Sequence, residues 1–180
     1  NSSSRGPAHD GRIKPDIGAK GTSVYSTVST NDYDTYTGTS MACPGIAGVM
    51  GQLYQAYKEL NGGVNPPSGL MKGILLNSAD DLGNSGPDFK YGWGEVNALK
   101  AVKILENQTY IEDSISHLGN NIHNISIPSG KQFRVMVYWH DREASTGASI
   151  ALINNLDILL TSPNGTTYQP WVLDHTANAT

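Results

Sequence analysis

The chain has 180 residues, enough for one ordinary domain or two small ones, and 16% of them are charged. This low charge argues against disorder driven by self-repulsion, and the net charge of −4 gives no electrostatic footprint for nucleic acid or for an anionic membrane. No apolar run approaches the roughly 18 residues that cross a bilayer. The single cysteine allows no internal disulfide, and no His/Cys pattern of a zinc site is found.

Residues 1–39 are turn-rich, and residues 23–28 have strand propensity. Residues 37–40, Thr-Gly-Thr-Ser, predict a tight turn that opens into a helix. From Met41 onward, apolar residues recur at helical spacing, so the helix should run to about Leu60, just before Asn-Gly-Gly.

This predicted helix contains residues that usually weaken helices. Pro44 lies in or near its first turn, where a missing N–H is tolerated. Gly45, Gly48 and Gly51 lie inside it and each costs about 1 kcal/mol relative to Ala. The small residues predict that a neighbouring strand or helix approaches this helix closely.

Two further helices follow. One begins after Pro66-Pro67-Ser68 and should end near Ala79, and the other should run from Asn97 to about Glu106. Residues 80–94, rich in Gly and Asp, predict a loop between them.

After Asn107 the apolar period changes from helical to about two. Strands are predicted at residues 122–128, 133–139 and 156–161, and Ser-Pro-Asn-Gly after the last of them predicts a turn. Strands without intervening helices favour an antiparallel sandwich or barrel. We therefore divide the chain into a domain of residues 1–107 and a second domain of residues 108–180.

Ser40 is the candidate nucleophile. A serine hydroxyl attacks a carbonyl only when it is exposed and has a base beside it, and a turn opening into a helix supplies the exposure. The N–H groups and the positive dipole end of the helix would stabilise a developing oxyanion. The alternative is structural, because Ser before a helix is commonly only an N-cap.

Three motifs along the chain favour the catalytic interpretation of Ser40 over the structural one. Residues 38–48, Gly-Thr-Ser-Met-Ala-Cys-Pro-Gly-Ile-Ala-Gly, resemble the active-serine motif of the subtilisin-like peptidases. Residues 3–17, with Ser-Ser-x-Gly-Pro and Asp-Gly-Arg-Ile-Lys-Pro-Asp-Ile, and residues 91–98, Tyr-Gly-Trp-Gly-x-Val-Asn-Ala, are similar to family segments in the same order. Lys20 stands where the family usually has Pro, and Cys43, where it has another small residue, is interpreted as a buried helix residue.

The resemblance implies a fold and a reaction. The fold class is α/β: the C-terminal part of a mostly parallel subtilisin-like sheet with flanking helices, followed by an antiparallel, jelly-roll-like β-sandwich. The reaction is endopeptidase hydrolysis of a protein or peptide substrate through an acyl-enzyme on Ser40. Gly38, Thr39 and Met41 would line the bound substrate. No cofactor is required, and an extracellular location is expected.

In the family, the aspartate, the histidine and the oxyanion-hole amide lie further before the serine than the 39 residues that precede Ser40 here. The resemblance therefore places them upstream of Asn1. His9 and Asp10 are rejected as substitutes because they lie in a turn-like loop that the family shares. His140 and Asp141 are rejected because they lie beyond the domain boundary. The chain alone is therefore expected to be inactive, with open sheet edges that favour self-association.

Residues 133–165 are similar to the β-sandwich that follows the catalytic domain in subtilases of the alkaline KP-43 type, related in shape to the P-domain of the kexins. Asp141, Asn155 and Asp157 could give oxygen ligands to a structural calcium ion, or could simply flank turns.

Two other functions stay open, a pseudopeptidase and a β-sandwich binding module attached to a relic catalytic domain. Five Asn-x-Ser/Thr sequons, which permit glycosylation in a eukaryote but also suit a polar surface, begin at Asn1, Asn107, Asn124, Asn164 and Asn178.

Overall fold

The computed structural model describes residues 3–130 and 132–176, so the sequons at Asn1 and Asn178 lie outside the described residues. Three helices and two small antiparallel sheets are formed there. In chain order the elements are β1 (Val24–Val28), β2 (Asp32–Tyr36), α1 (Thr39–Leu60), α2 (Ser68–Asn77), α3 (Ala98–Glu106), β3 (Leu160–Thr161) and β4 (Thr167–Tyr168). None of the described helices is both long and apolar enough to cross a membrane.

The three predicted helices are confirmed, with small shifts at their ends. α1 begins at Thr39, two residues earlier than the apolar spacing indicated, and Pro44 lies inside it. Its C-terminus is closed by Asn61, whose backbone N–H and side-chain amide both donate to the Tyr57 carbonyl at 2.9 Å. These bonds satisfy a carbonyl that the helix itself leaves without a partner.

The core lies where the three helices meet. Its apolar side chains recur every three or four residues, so each helix turns one stripe toward the others. The buried cluster consists of Leu53, Tyr57, Met71, Ile74, Leu75, Ala101 and Leu105. Ala101 is fully buried, and its small side chain lets α3 approach its neighbours closely. Burial raises the pKa of the Tyr57 phenol.

α3 is fixed at its N-terminus by polar contacts. The Asn97 side-chain oxygen accepts from the Lys100 N–H at 2.9 Å and caps the helix, while its amide donates to Asp80 at 2.8 Å. Lys100 forms an ion pair with the same Asp80 carboxylate. These hydrogen bonds, with the charge of Lys100, hold the pKa of Asp80 below its usual value.

The loop before α3 explains the glycines of the Tyr-Gly-Trp-Gly motif. Gly92 and Gly94 have φ angles of 64° and 115°, which an L side chain rarely adopts. A Cβ at Gly92 would overlap the Pro15 carbonyl, and one at Gly94 would overlap the Asp80 carbonyl. The motif therefore lets this loop pack directly on the backbone of the N-terminal loop and of the segment after α2.

β1 and β2 form an antiparallel hairpin that pairs Val24 with Tyr36 and Val28 with Asp32. The tight connection places Thr30 and Asn31 at left-handed φ angles of 67° and 60°. The sequence predicted the first strand and missed the second.

The expected parallel sheet is not formed by the described residues. Their parallel pairing is confined to one isolated bridge between Gly18 and Glu95. The predicted sandwich is not formed there either. Residues 122–128 and 133–139 enter no ladder, and only Leu160–Thr161 of the third predicted strand is paired. A strand needs a second strand to satisfy its backbone, and no described segment supplies one to these residues.

The predicted close approach to α1 is found at one glycine of three. A Cβ at Gly45 would contact Ala19 at 3.9 Å, whereas Gly48 and Gly51 have nothing within 4 Å of such an atom. Cys43 is exposed, so its interpretation as a buried small residue is wrong for this structure. It lies beside Pro44 and Ala47 on the outer face of α1, which no described element covers.

Candidate active site

Ser40 is the second residue of α1, and its side chain is exposed. The N-cap is Gly38, in extended conformation with φ 164° and ψ 167°, and no side chain caps the helix. The interpretation of Ser40 as a plain N-cap is therefore wrong. Its own N–H is one of the first-turn donors that an α-helix cannot satisfy internally.

The backbone around Gly38 is held at several points. Its carbonyl accepts from the N–H groups of Met41 and Ala42 at 3.0 and 3.4 Å, which starts the helix. Its N–H donates to the Gly21 carbonyl at 2.8 Å. A Cβ at Gly21 would lie 2.6 Å from the Gly38 oxygen, so only glycine allows this approach. The turn before Ser40 is thus attached to the chain that precedes β1.

Thr37 also holds this turn, a role that the sequence does not reveal. The Thr37 Oγ1 accepts from the Ser23 N–H at 2.9 Å, which closes the base of the β1–β2 hairpin next to the serine. Hydroxyl-to-backbone contacts of this kind are common for Thr beside turns, but nothing in the sequence identifies Ser23, fourteen residues away, as the partner.

The other predicted substrate-contacting residues lie around Ser40. Thr39 is exposed, and Met41 is half-buried with its sulfur beside Gly38, 3.7 Å from where a Cβ of that glycine would stand. Residues 38–41 therefore form one continuous backbone segment around Ser40. Met41 supplies its one large apolar side chain.

No histidine hydrogen-bonds to Ser40 among the residues that the structure describes. Asp10, rejected together with His9 as a substitute for the triad, is paired elsewhere. Its carboxylate accepts from the Arg12 guanidinium at 2.6 Å. Burial acts to raise the pKa of Asp10, but the Arg12 hydrogen bond and charge outweigh it and lower that pKa. The His140 Nε2 atom lies 3.0 Å from the hydroxyl of a different serine, Ser68.

Asp141 stabilises a loop instead of presenting free oxygens. Its carboxylate accepts the backbone N–H groups of Ile153 (2.6 Å), Asn154 (3.0 Å) and Arg142 (2.9 Å), together with the Asn154 amide (2.7 Å). These donors, the Ile153 N–H foremost, lower its pKa. Because both oxygens are already engaged, the geometry opposes Asp141 as a calcium ligand. Over residues 3–130 and 132–176, no three His, Cys, Asp or Glu side chains are grouped to hold a metal ion.

The chain is similar to known peptidases. The family model described as Subtilase family, peptidase S8, matches residues 1–94. C5a peptidase of Streptococcus pyogenes is 33% identical over 147 residues, which is 78% of this chain and 12% of that protein. Bacillopeptidase F of Bacillus subtilis is 33% identical over 155 residues, 82% of this chain and 10% of that protein.

Among solved structures, the CspB protease of Clostridium perfringens is 31% identical, with a TM-score of 0.49 over 53% of this chain and 21% of that one. This chain belongs to the subtilase family, whose model covers the Ser40 segment and the whole N-terminal loop. It spans only about an eighth of the length of the curated C5a peptidases that it matches.

Proposed function

We propose that this chain is part of a subtilase serine endopeptidase in which Ser40 is the nucleophile. The observation that carries the proposal is the exposed Ser40 hydroxyl in the first turn of a 22-residue helix, behind a glycine N-cap that leaves the turn's N–H donors free of side-chain caps. The N-terminus of such a helix favours negative charge, as it develops on the carbonyl oxygen under attack.

The proposed reaction proceeds in two halves. The Ser40 Oγ bonds to the carbonyl carbon while its proton passes to a histidine, and the Ser40 N–H donates to the oxyanion. The histidine then protonates the amine, which leaves as the C–N bond breaks and a serine ester remains. Water hydrolyses this ester by the same route. Gly38, Thr39 and Met41 contact the substrate beside the bond that is cleaved.

We place the aspartate and histidine of the triad outside these 180 residues. Two observations support this: the described histidines His9 and His140 make no hydrogen bond to Ser40, and the chain corresponds to a small share of its relatives. Residues 1–107 would then belong to the catalytic domain and residues 108–180 to a β-sandwich. Bacillopeptidase F and C5a peptidase suggest by similarity a secreted or surface enzyme acting on proteins.

A fluorophosphonate probe tests the proposal, because it bonds only to an activated serine. We expect Ser40 to be labelled in the longer protein that contains this chain, and no labelling of its Ser40→Ala variant or of the 180-residue chain alone. Loss of the serine or histidine of subtilisin lowers turnover about a millionfold, so the contrast should be complete.

Other outcomes separate the alternatives. A longer protein that folds but is not labelled at Ser40 would contradict the peptidase and favour the pseudopeptidase or the binding module. Labelling of Ser40 in the isolated chain would show that a base lies within residues 1–180, and the external triad would be wrong.

A further inference from the structure

Residues 134–140 run along the whole length of α2; we call them the strap. At one end, the Arg134 guanidinium donates to the carbonyls of Ala79 (2.9 Å) and Asn77 (3.3 Å), at the C-terminus of α2. At the other end, His140 contacts Ser68, the first residue of α2. Seven residues reach at most ~25 Å and a ten-residue helix is ~15 Å long, so the strap spans it without strain.

Tyr138 and His140 of the strap pack on two glycines of α2. Gly69 and Gly73 are four residues apart and therefore lie on one face of the helix. A Cβ at Gly73 would lie 3.2 Å from the Cβ of Tyr138, and a Cβ at Gly69 would lie 3.2 Å from the His140 ring. The two rings pack edge to face, with centroids 5.6 Å apart. The missing side chains of the glycines thus create the flat surface on which these rings lie.

Charge favours the orientation of the strap in which Arg134 lies at the C-terminal end of α2. Arg134 meets the C-terminal end of α2, where unsatisfied carbonyls and the helix dipole attract a cation. Lys72 extends over the Tyr138 ring, with its Nζ 5.7 Å from the centroid. Tyr138 therefore has the Lys72 cation over the face of its ring, and its Cβ lies against Gly73. Reversing the strap would bring Arg134 to the positive end of the helix.

α2 thus has two occupied faces. Met71, Ile74 and Leu75 point into the helical core, while Gly69 and Gly73 meet the strap on another side. We propose that the glycine face of α2 is a docking surface whose occupant is the strap, and that this contact attaches residues 108–176 to the helical core. Side chains at both ends and in the middle of the strap contribute to it.

A double-mutant cycle tests the contact at its tightest point. In an exposed helix, Gly→Ala should raise the melting temperature by about 2–4 °C. We expect Gly73→Ala to lower it in the native sequence, because the new methyl group pushes against the Cβ of Tyr138, and to raise it in a Tyr138→Gly background, which lacks that atom. Gly48→Ala, at a glycine with no neighbour within 4 Å, is the matched control and should raise it in both backgrounds of the 180-residue chain. The same effect of Gly73→Ala in both backgrounds would overturn the proposal.

Limited trypsin digestion of the 180-residue chain gives an independent readout. Arg134 lies in the strap and Arg142 lies two residues beyond it. We expect cleavage after Arg134 to be at least tenfold slower than after Arg142, and Tyr138→Ala to remove most of this difference. Tyr168→Ala, at an exposed tyrosine of β4, should leave the ratio unchanged. Equal cleavage after both arginines in the unmodified chain would show that the strap is not docked.

Discussion

Residues 39–106 and residues 108–176 have similar supplies of aliphatic side chains but bury them very differently. The first region forms three helices around one core, in which Leu53 and Leu105 are each 2% exposed. In the second region Leu118 is 92% and Ile122 is 79% exposed. Apolar content alone therefore does not make a core; the backbone must first find its hydrogen-bond partners.

The reason lies in where each kind of element finds those partners. A helix satisfies its N–H and C=O groups within one segment, so α1, α2 and α3 form and then pack through their apolar stripes. A strand satisfies them only against another strand. In the second region this pairing is limited to β3 and β4, with two residues each. The exposed aliphatic side chains support the expectation, still a prediction, that the isolated chain self-associates.

The largest effect should come from matched leucines of the two regions. Leu53→Ala should lower the free energy of unfolding by about 2–5 kcal/mol, because it leaves a cavity in the helical core. Leu118→Ala should change it by less than about 0.5 kcal/mol. Urea denaturation followed by circular dichroism measures both. If Leu118→Ala were as costly as Leu53→Ala, Leu118 would be buried in a core of its own. The two regions would then not differ in how they bury their aliphatic side chains.

The helices could be predicted because their boundaries are determined locally. Asn61-Gly62-Gly63 ends α1, Pro67 precedes α2, and the Asn97 side chain caps α3. Each of these features acts within about four residues and can be recognised without knowing the rest of the fold. The motif around Ser40 is local in the same sense, which is why the sequence could nominate the residues of the candidate site, whose roles stay predictions.

The remaining features depend on partners distant in the sequence. β2 was missed because Asp32 and Asp34 disfavour strands, yet pairing with β1 holds this segment in a ladder. Residues 133–139 have strand propensity and were predicted as a strand, but part of this segment lies in the strap along α2. Neither result could be derived from the local sequence, because each depends on contacts with residues that are distant in the chain.

A smaller effect would test the uncovered face of α1. Gly48→Ala should stabilise the 180-residue chain by about 1 kcal/mol, since Ala favours the helix and has room there. In the longer protein we expect the same change to destabilise, if another segment covers this face as the small residues predict. Thermal unfolding of both proteins checks the sign. Stabilisation in both would show that the glycines of α1 are not required for close packing.

The smallest effect concerns Asp141, which organises part of the second region. Its pKa lies below the usual value of an aspartate because the Ile153 N–H, and then the Asn154 donors, bind the carboxylate. A depressed folded-state pKa contributes stability that is present above the unfolded value and is lost as the pH falls through the folded value. The loop at residues 152–154 should therefore stay ordered down to about pH 4 and loosen below it.

NMR can follow this transition through the amide signals of Ile153 and Asn154. Both should shift with a common midpoint below the ordinary aspartate pKa of about 3.9, and Asp141→Asn should abolish the shift because the amide has no proton to gain in this range. Asp157→Asn is the matched control, since Asp157 is exposed and makes none of these contacts. A midpoint at or above that ordinary value would mean that the carboxylate does not hold the loop in solution. The second region would then lack even this local order, and the contrast with the helical core would be sharper still.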